Sequence, residues 1–334
     1  MVISIIIPVF NLEGYISKCL KSIKRQNFSQ KKFEVIIIND NSKDKSLKII
    51  KKFNNQFKNF SIINNKNNIG PGPSRNRGIL YAKGKYIMFL DGDDFLKKNA
   101  LKILEKSLNN KNYDFIGYNF DKIASKRKIK RKCRKDFKFI TKNVNKRIKN
   151  FLNGEIDGSV IFTIVRKKFL IKKNIYFLKG LHEDIFFMFK IYFFAKKFQF
   201  LKKSLYQKQV RKNSIVNVLN KKRVNDFFNQ PILIKNFLLK RNFHFKKLNK
   251  FYIRGVIGYV GGILAQNFYL KNSRMKKDIY EIIHKFSFKM LNKEIRPDQS
   301  KLDKIVNLFL KTVKNKKKNR DIFKIYEKKA IKLI

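Results

Sequence analysis

A chain of 334 residues that is 43% apolar and 14% aromatic has material for one large or two ordinary cored domains, which excludes a disordered polypeptide. Its 80 lysines and arginines against 23 acids leave a net charge of +57, and residues 1–120 hold 22 basic and 9 acidic side chains while 121–334 hold 58 and 14. Such a field favours an anionic partner, and two isolated cysteines, Cys19 and Cys133, argue against a disulfide framework or a structural zinc site and fit a reducing cytoplasm.

The opening run MVISIIIPVFN has no basic leader and is too short in apolar length for a signal peptide, so it is predicted as a buried strand over 3–9. Further strands are predicted at 33–39, 60–64, 86–91 and 113–120. Between them, Tyr15, Ile16, Cys19, Leu20 and Ile23 share one helical face, as do Leu47, Ile50, Phe53 and Phe57. Strand runs that are apolar on both faces imply an α/β sheet covered by helices on both sides.

From 122 to 138 the chain carries ten basic residues and one acid, which reads either as a solvated surface segment or as a contact for an anionic membrane or acceptor. Residues 181–198 read as an apolar helix opening with two acids, and from about 221 onward the pattern is helical and Lys-rich. No run of about 18 apolar residues occurs; the nearest, GVIGYVGGILA at 255–265, is predicted as a buried helix. There is no internal repeat.

In a parallel sheet, ligands bind at the carboxyl ends of the strands. The loops PVFN, NDNSKD and DGDD follow the first, second and fourth predicted strands, so they should converge on one edge. Asp91 and Asp93, one residue apart with Asp94 beside them, suit a hard divalent cation, Mg²⁺ or Mn²⁺, that would relieve their repulsion. An Asx-type turn capping the following helix is the plainer alternative. Asp40 is a candidate acceptor for a nucleobase N–H, while Ser42 or Asn41 in the same loop could cap a helix starting near Lys43. The segment GPGPSRNRG places Arg75 near a helix start, where anions are favoured; neither a dinucleotide fingerprint nor a Walker motif is present. His182, beside the acidic pair, suits a hydrogen bond at the helix start or a contact with substrate or metal.

Taken together, SIIIPVFN, VIIINDNSKD and SRNRGILYAKGKYIMFLDGDD resemble, in order and spacing over residues 3–95, the glycosyltransferase family 2 pattern on a GT-A fold. The resemblance implies a metal-dependent, inverting enzyme that moves a sugar from a nucleotide-sugar, a UDP-sugar, to a hydroxyl of a cell-surface glycan or lipid-linked acceptor. It implies donor contacts from Pro8, Phe10, Asn11, Glu13, Asp40, Arg75, Asp91, Gly92 and Asp93, with Asp91 and Asp93 toward the metal. The later segment GLHEDIFF is similar to the family's acidic pair at a helix start, which carries the general base to Asp184, with Glu183 as second choice. YQKQVRKNSI is similar to its closing loop, so Tyr206, Arg211 and Ser214 are expected to cover the diphosphate. Asn39, Asn41, Phe10 and Asn213 depart from the usual family residues, which loosens the expectation about the nucleotide.

The expected layout is a GT-A domain over 1–215, split into a nucleotide-sugar half (1–120) and an acceptor and catalytic half (121–215). A helical, strongly basic region follows over 216–334. That basic half suits a peripheral enzyme on the inner face of the cytoplasmic membrane. A basic nucleic-acid- or membrane-binding protein without catalysis remains an alternative, although no specific nucleic-acid motif occurs. A GT-A-like nucleotidyltransferase would be expected to show a Gly-rich basic loop after strand one, and PVFNLEGY is not one.

Overall fold

The computed structural model describes residues 1–108, 111–124, 127–130, 135–210 and 219–243, with isolated helical positions between 248 and 282. The chain divides into two compact units, Met1–Val144 with Gly158–Ser214, and Asn145–Asp157 with Ile215–Ile334.

In the first unit, β1 (Ile3–Val9) and β2 (Phe33–Asn39) are buried along almost their whole length, as their unbroken apolar runs require. β1 pairs in parallel with β2 on one side and with β4 (Tyr86–Phe89) on the other, and β3 (Phe60–Asn64) extends the sheet beyond β2. The sheet then turns mixed. β8 (Thr163–Arg166) runs antiparallel to both β4 and β6 (Phe115–Ala124), and β9 (Phe198–Gln209) runs parallel to β6. The short β5 (Phe95–Leu96) pairs antiparallel with β9, and β7 (Arg127–Lys130) pairs antiparallel with β6. The resulting order is β3-β2-β1-β4-β8-β6-β9-β5, so β1, flanked by β2 and β4, marks the switch in strand order where α/β sheets open a crevice.

Helix α1 (Ile16–Lys24) buries Ile16, Cys19, Leu20 and Ile23, the face its 3.6-residue spacing predicts. α2 (Ser46–Lys51) starts three residues later than predicted, because the Asp44 carboxylate, and neither Asn41 nor Ser42, accepts from the Ser46 N–H at its start. It is also short, so Phe53 and Phe57 pack from beyond its end. α3 (Pro71–Tyr81) opens with Pro at its first position, where the missing N–H costs nothing, and lies against β1 and β2. A Cβ at Gly78 would meet Ile6 Cγ2 at 2.3 Å, so only glycine lets α3 approach β1 this closely.

The helix predicted directly after the acidic loop is delayed, because Phe95 and Leu96 form β5 and α4 begins only at Ala100 (Ala100–Leu108). α6 (Lys167–Lys172) follows β8, and α7 (Glu183–Phe194) is sunk into the unit, with Phe187, Met188, Phe189, Ile191 and Tyr192 all fully buried. The second unit contains most of α5 (Val144–Leu152) and α8 (Lys221–Lys240), which Asn220 caps by accepting from the Arg223 N–H at 2.8 Å. The apolar run 255–265 lies, apart from positions 255 and 263, outside the described residues. No helix among the described residues is long and apolar enough to cross a membrane.

Candidate active site

Parallel register brings Val9, Asn39 and Asn64 side by side at the carboxyl ends of β1, β2 and β3. The Asp40 N–H then donates to Val9 O at 2.8 Å, and the Asn65 N–H donates to Asn39 O at 2.9 Å. These bonds align the post-strand loops on the edge where ligands bind.

The loop after β1 is laced to the loop after β2. Asn11 sits in the left-handed region (φ 51°), its N–H donates to Ser42 Oγ and its Oδ1 accepts from the Lys43 N–H. Glu13 Oε2 accepts from the Lys45 N–H, and the Glu13 N–H donates to Asp44 Oδ2. Asp44 is held below its ordinary value: burial pushes the other way, but hydrogen bonds from Ser46 and the Glu13 backbone outweigh it. Pro8 is half-buried in β1, and Phe10 is 43% exposed beside this laced pair.

Asp40 is 2% exposed. Its Oδ1 accepts from Asn65 Nδ2 at 2.6 Å and the Ile69 N–H at 2.9 Å, and its Oδ2 accepts from the Gly70 N–H at 2.8 Å. The residue expected to read a base therefore also clamps the entry to α3, where Gly70 takes a φ of 91°.

After β4, the chain turns sharply, with the Asp94 N–H donating to Asp91 O at 2.9 Å. Gly92 lies inside this turn, and a Cβ there would meet Leu12 Cδ1 at 2.8 Å. One carboxylate oxygen each from Asp91, Asp93 and Asp94 lies within 4.8 Å of the others. None of the three caps α4, whose first residue comes six positions after Asp94. Asp94 is 2% exposed and accepts from the Tyr206 hydroxyl at 2.7 Å and from the Gln209 N–H at 2.7 Å. Burial, then the charges of Asp91 and Asp93, push its carboxyl up to about 8. Three hard oxygen donors that repel one another across so short a span fit a divalent cation, whose charge would remove the repulsion.

Arg75 closes the arrangement from α3. Its Nη2 donates to Asp91 Oδ1 at 2.7 Å and its Nη1 to Glu183 Oε1 at 2.6 Å. Burial opposes the guanidinium charge, but Asp91 and Glu183, with Asp184 beyond them, outweigh it and hold Arg75 above its ordinary value. The expected acidic pair does open α7, with Glu183 buried and Asp184 half-buried. His182 precedes them in the left-handed region (φ 60°), and its side chain makes no cap hydrogen bond to the helix.

Tyr206 also departs from expectation. It lies not in a covering loop but within β9, fully buried, with its hydroxyl donating to Asp94 and accepting from the Asp91 N–H at 3.3 Å. Burial first, then Asp94 and Asp91, raise its phenol well above the ordinary value. Arg211 and Ser214 lie outside the described residues. Sequence reasoning found the acids but missed the bonds between them. The third carboxylate of DGDD, Asp94, was the one local signal of a buried partner such as Tyr206.

Comparison with known proteins bears on the family and the fold. Residues 4–176 match the family model described as glycosyl transferase family 2. A poly(ribitol-phosphate) beta-glucosyltransferase of Bacillus spizizenii is 42% identical over 102 residues, 30% of this chain and 16% of that protein. A cholesterol galactosyltransferase of Borreliella burgdorferi is 27% identical over 234 residues, covering 66% of this chain and 64% of that one. The chain therefore aligns with less than a fifth of the first relative and just under two thirds of the second. Crystal structures of S. aureus TarS 1-349 share the fold. One superposes with a TM-score of 0.67 at 21% identity over 100% of this chain and 90% of that one. Its complex with UDP-GlcNAc gives a TM-score of 0.59 at 21% identity over 86% and 91%. With over half of its length matched by the family model, and a GT-A sheet that brings the acids to one edge, the chain belongs to glycosyl transferase family 2.

Proposed function

We propose that this chain is a metal-dependent inverting glycosyltransferase that moves a sugar from a UDP-sugar to a hydroxyl of a cell-surface glycan or lipid-linked acceptor. The observation that carries the reading is the junction of the Asp91, Asp93 and Asp94 turn with the acidic first turn of α7, bridged by Arg75 at the carboxyl edge of β1, β2 and β4. A solved complex of TarS with UDP-GlcNAc, on the same fold, supports the choice of UDP.

Asp91 and Asp93, with Asp94 behind them, are the residues that would hold a Mn²⁺ or Mg²⁺ ion, which when bound supplies charge stabilisation to the departing diphosphate. Asp40 and the loops after β1 and β2, with Pro8, Phe10, Asn11 and Glu13, form the donor-binding wall. Asp184 is the base. It is half-buried on the first turn of α7, whereas Glu183 is turned inward onto Arg75. Asp184 accepts the proton of the acceptor hydroxyl, the new C–O bond forms at the anomeric carbon, and the bond to the diphosphate breaks on the opposite face with its electron pair leaving on the diphosphate. Configuration therefore inverts. The acids alone cannot select the donor, so Arg211 and Ser214, expected over the diphosphate, complete the proposed set.

The charge excess beyond residue 120 supports a working position on an anionic membrane surface, where lipid-linked acceptors would be presented. Incubating the purified chain with a panel of UDP-sugars, with and without Mn²⁺, tests the reading. Release of UDP that depends on both one sugar and the cation supports it, and no release from any member of the panel counts against it.

A further inference from the structure

The guanidinium of Arg75 spans three stretches of chain far apart in sequence. From α3 it reaches Asp91 after β4 and Glu183 at the start of α7, 16 and 108 positions away. It is not open to a ligand. The side chain is 7% exposed, and its Nε is buried. The Phe177 ring lies 5.5 Å from the guanidinium carbon.

Glu183 also packs against α3 itself. A Cβ at Gly72, one turn before Arg75, would sit 2.7 Å from Glu183 Cγ, so α3 presses directly on that side chain. The first turn of α7 has no side-chain cap, since His182 makes no cap hydrogen bond. The grip on Glu183 therefore helps to set the direction of that turn, together with the buried face of α7. Asp184 is the next residue, and on a helix its direction follows from that of its neighbour.

We infer that Arg75 is a positioning residue, which orients Asp91 and the Glu183–Asp184 turn toward one another without touching the nucleotide. The inference rests on the reading above. A planar fork is needed because two carboxylates from different elements must be fixed at once, and a lysine ammonium, a single point charge on a flexible stem, cannot hold both in a set geometry. The consequence is that the acid turn, where the donor diphosphate is held, and the base, where the acceptor is activated, are set by one side chain.

The test compares wild type, Arg75→Lys, Arg75→Met and Glu183→Gln, using calorimetric titration with UDP and Mn²⁺ alongside turnover of the UDP-sugar that the wild type consumes. In Glu183→Gln, which leaves the bond from Arg75 to Asp91 in place, affinity for UDP with Mn²⁺ is expected to stay within about threefold of wild type while turnover of bound donor falls about 10²-fold, the cost of a misplaced reacting group; in Arg75→Lys, which loosens Asp91 as well, turnover falls at least as far and affinity by less than about tenfold. If Arg75→Met fails to fold, the other two variants carry the comparison. A tenfold or greater loss of UDP affinity with turnover of bound donor nearly intact would make Arg75 a nucleotide contact and overturn the inference. So would folded variants whose affinity and turnover both match wild type, which would leave Arg75 with a purely structural role. A wild type that binds no UDP with Mn²⁺ condemns the underlying functional reading instead, and the inference with it.

Discussion

Replacing Asp40 with alanine removes a carboxylate that is 2% exposed and takes three donors. One of them is not stranded, because Asn65 Nδ2 also reaches Ser74 Oγ at 2.9 Å. The other two are the N–H groups of Ile69 and Gly70, which have no second acceptor of this kind in the loop that enters α3. An unsatisfied buried donor costs about 1–3 kcal/mol, and because Ile69 and Gly70 are half-buried and water reaches them in part, the sum belongs toward the lower end, about 2–4 kcal/mol. Urea unfolding of Asp40→Ala against wild type measures this loss. Hydrogen exchange should also show the Ile69 and Gly70 amides opening faster in the variant. Asp40→Asn should lose less, since an amide oxygen still serves one donor. A loss below about 0.5 kcal/mol would mean that Asp40 is not a clamp, and that any effect of the substitution on UDP binding comes from direct contact. If the clamp is real, any loss of UDP affinity in Asp40→Ala has to be judged against a loosened α3 entry.

The other expected outcomes concern the base, the packing of α3 and the lacing of the loops. Asp184→Asn should lower turnover about 10²- to 10⁴-fold while UDP binding with Mn²⁺ is nearly unchanged, and near-normal turnover would remove Asp184 from the role. Gly78→Ala gains helix propensity but drives a methyl into Ile6, so a net loss of about 1–2 kcal/mol by thermal unfolding is expected, and a more stable variant would contradict the packing. Asp44 is lower in the folded chain than in the unfolded one, so its stabilising effect is present at neutral pH and fades as pH falls through the folded value. Wild type should therefore exceed Asp44→Asn by about 1 kcal/mol at pH 7 in urea unfolding, with the gap closing only as pH falls below the ordinary carboxylate range; a gap that widens on acidification would refute the assignment.

Much of the sheet was legible because its central strands β1 and β2 are buried on both faces. The runs ISIIIPV, FEVIIIN and FSIIN are β1, β2 and β3 with the same ends, although β3, outermost beyond β2, is only partly buried. The predicted fourth strand overran by two residues into the acidic turn, and the fifth began two residues early and ended four early. β8 was invisible because TIVR is only four residues long, and β9 because FQFLKKSLYQKQ is a mostly half-buried strand with lysines and glutamines among its apolar positions. Part of the basic segment 122–138 proved to be the end of β6 and β7, held by backbone pairing that charge composition does not report.

At the site, the acids could be found from their spacing, but their partners could not. Arg75 and Glu183 are 108 positions apart and Asp94 and Tyr206 are 112 apart, so only the folded sheet brings them together. The same distance hides the partners of Arg75: a cation near a helix start points locally to an anion, and nothing local names Asp91 and Glu183 as its carboxylates.

The central claim is that the turn at Asp91, Asp93 and Asp94 grips a divalent ion that holds the donor's diphosphate. Calorimetric titration of UDP into wild type and Asp93→Ala, each with Mn²⁺ and with chelator, tests it most directly. The account predicts tight binding only for wild type with Mn²⁺, weakened at least about tenfold by chelator or by the substitution, roughly 1.4 kcal/mol or more. Equal affinity in all four titrations would contradict it.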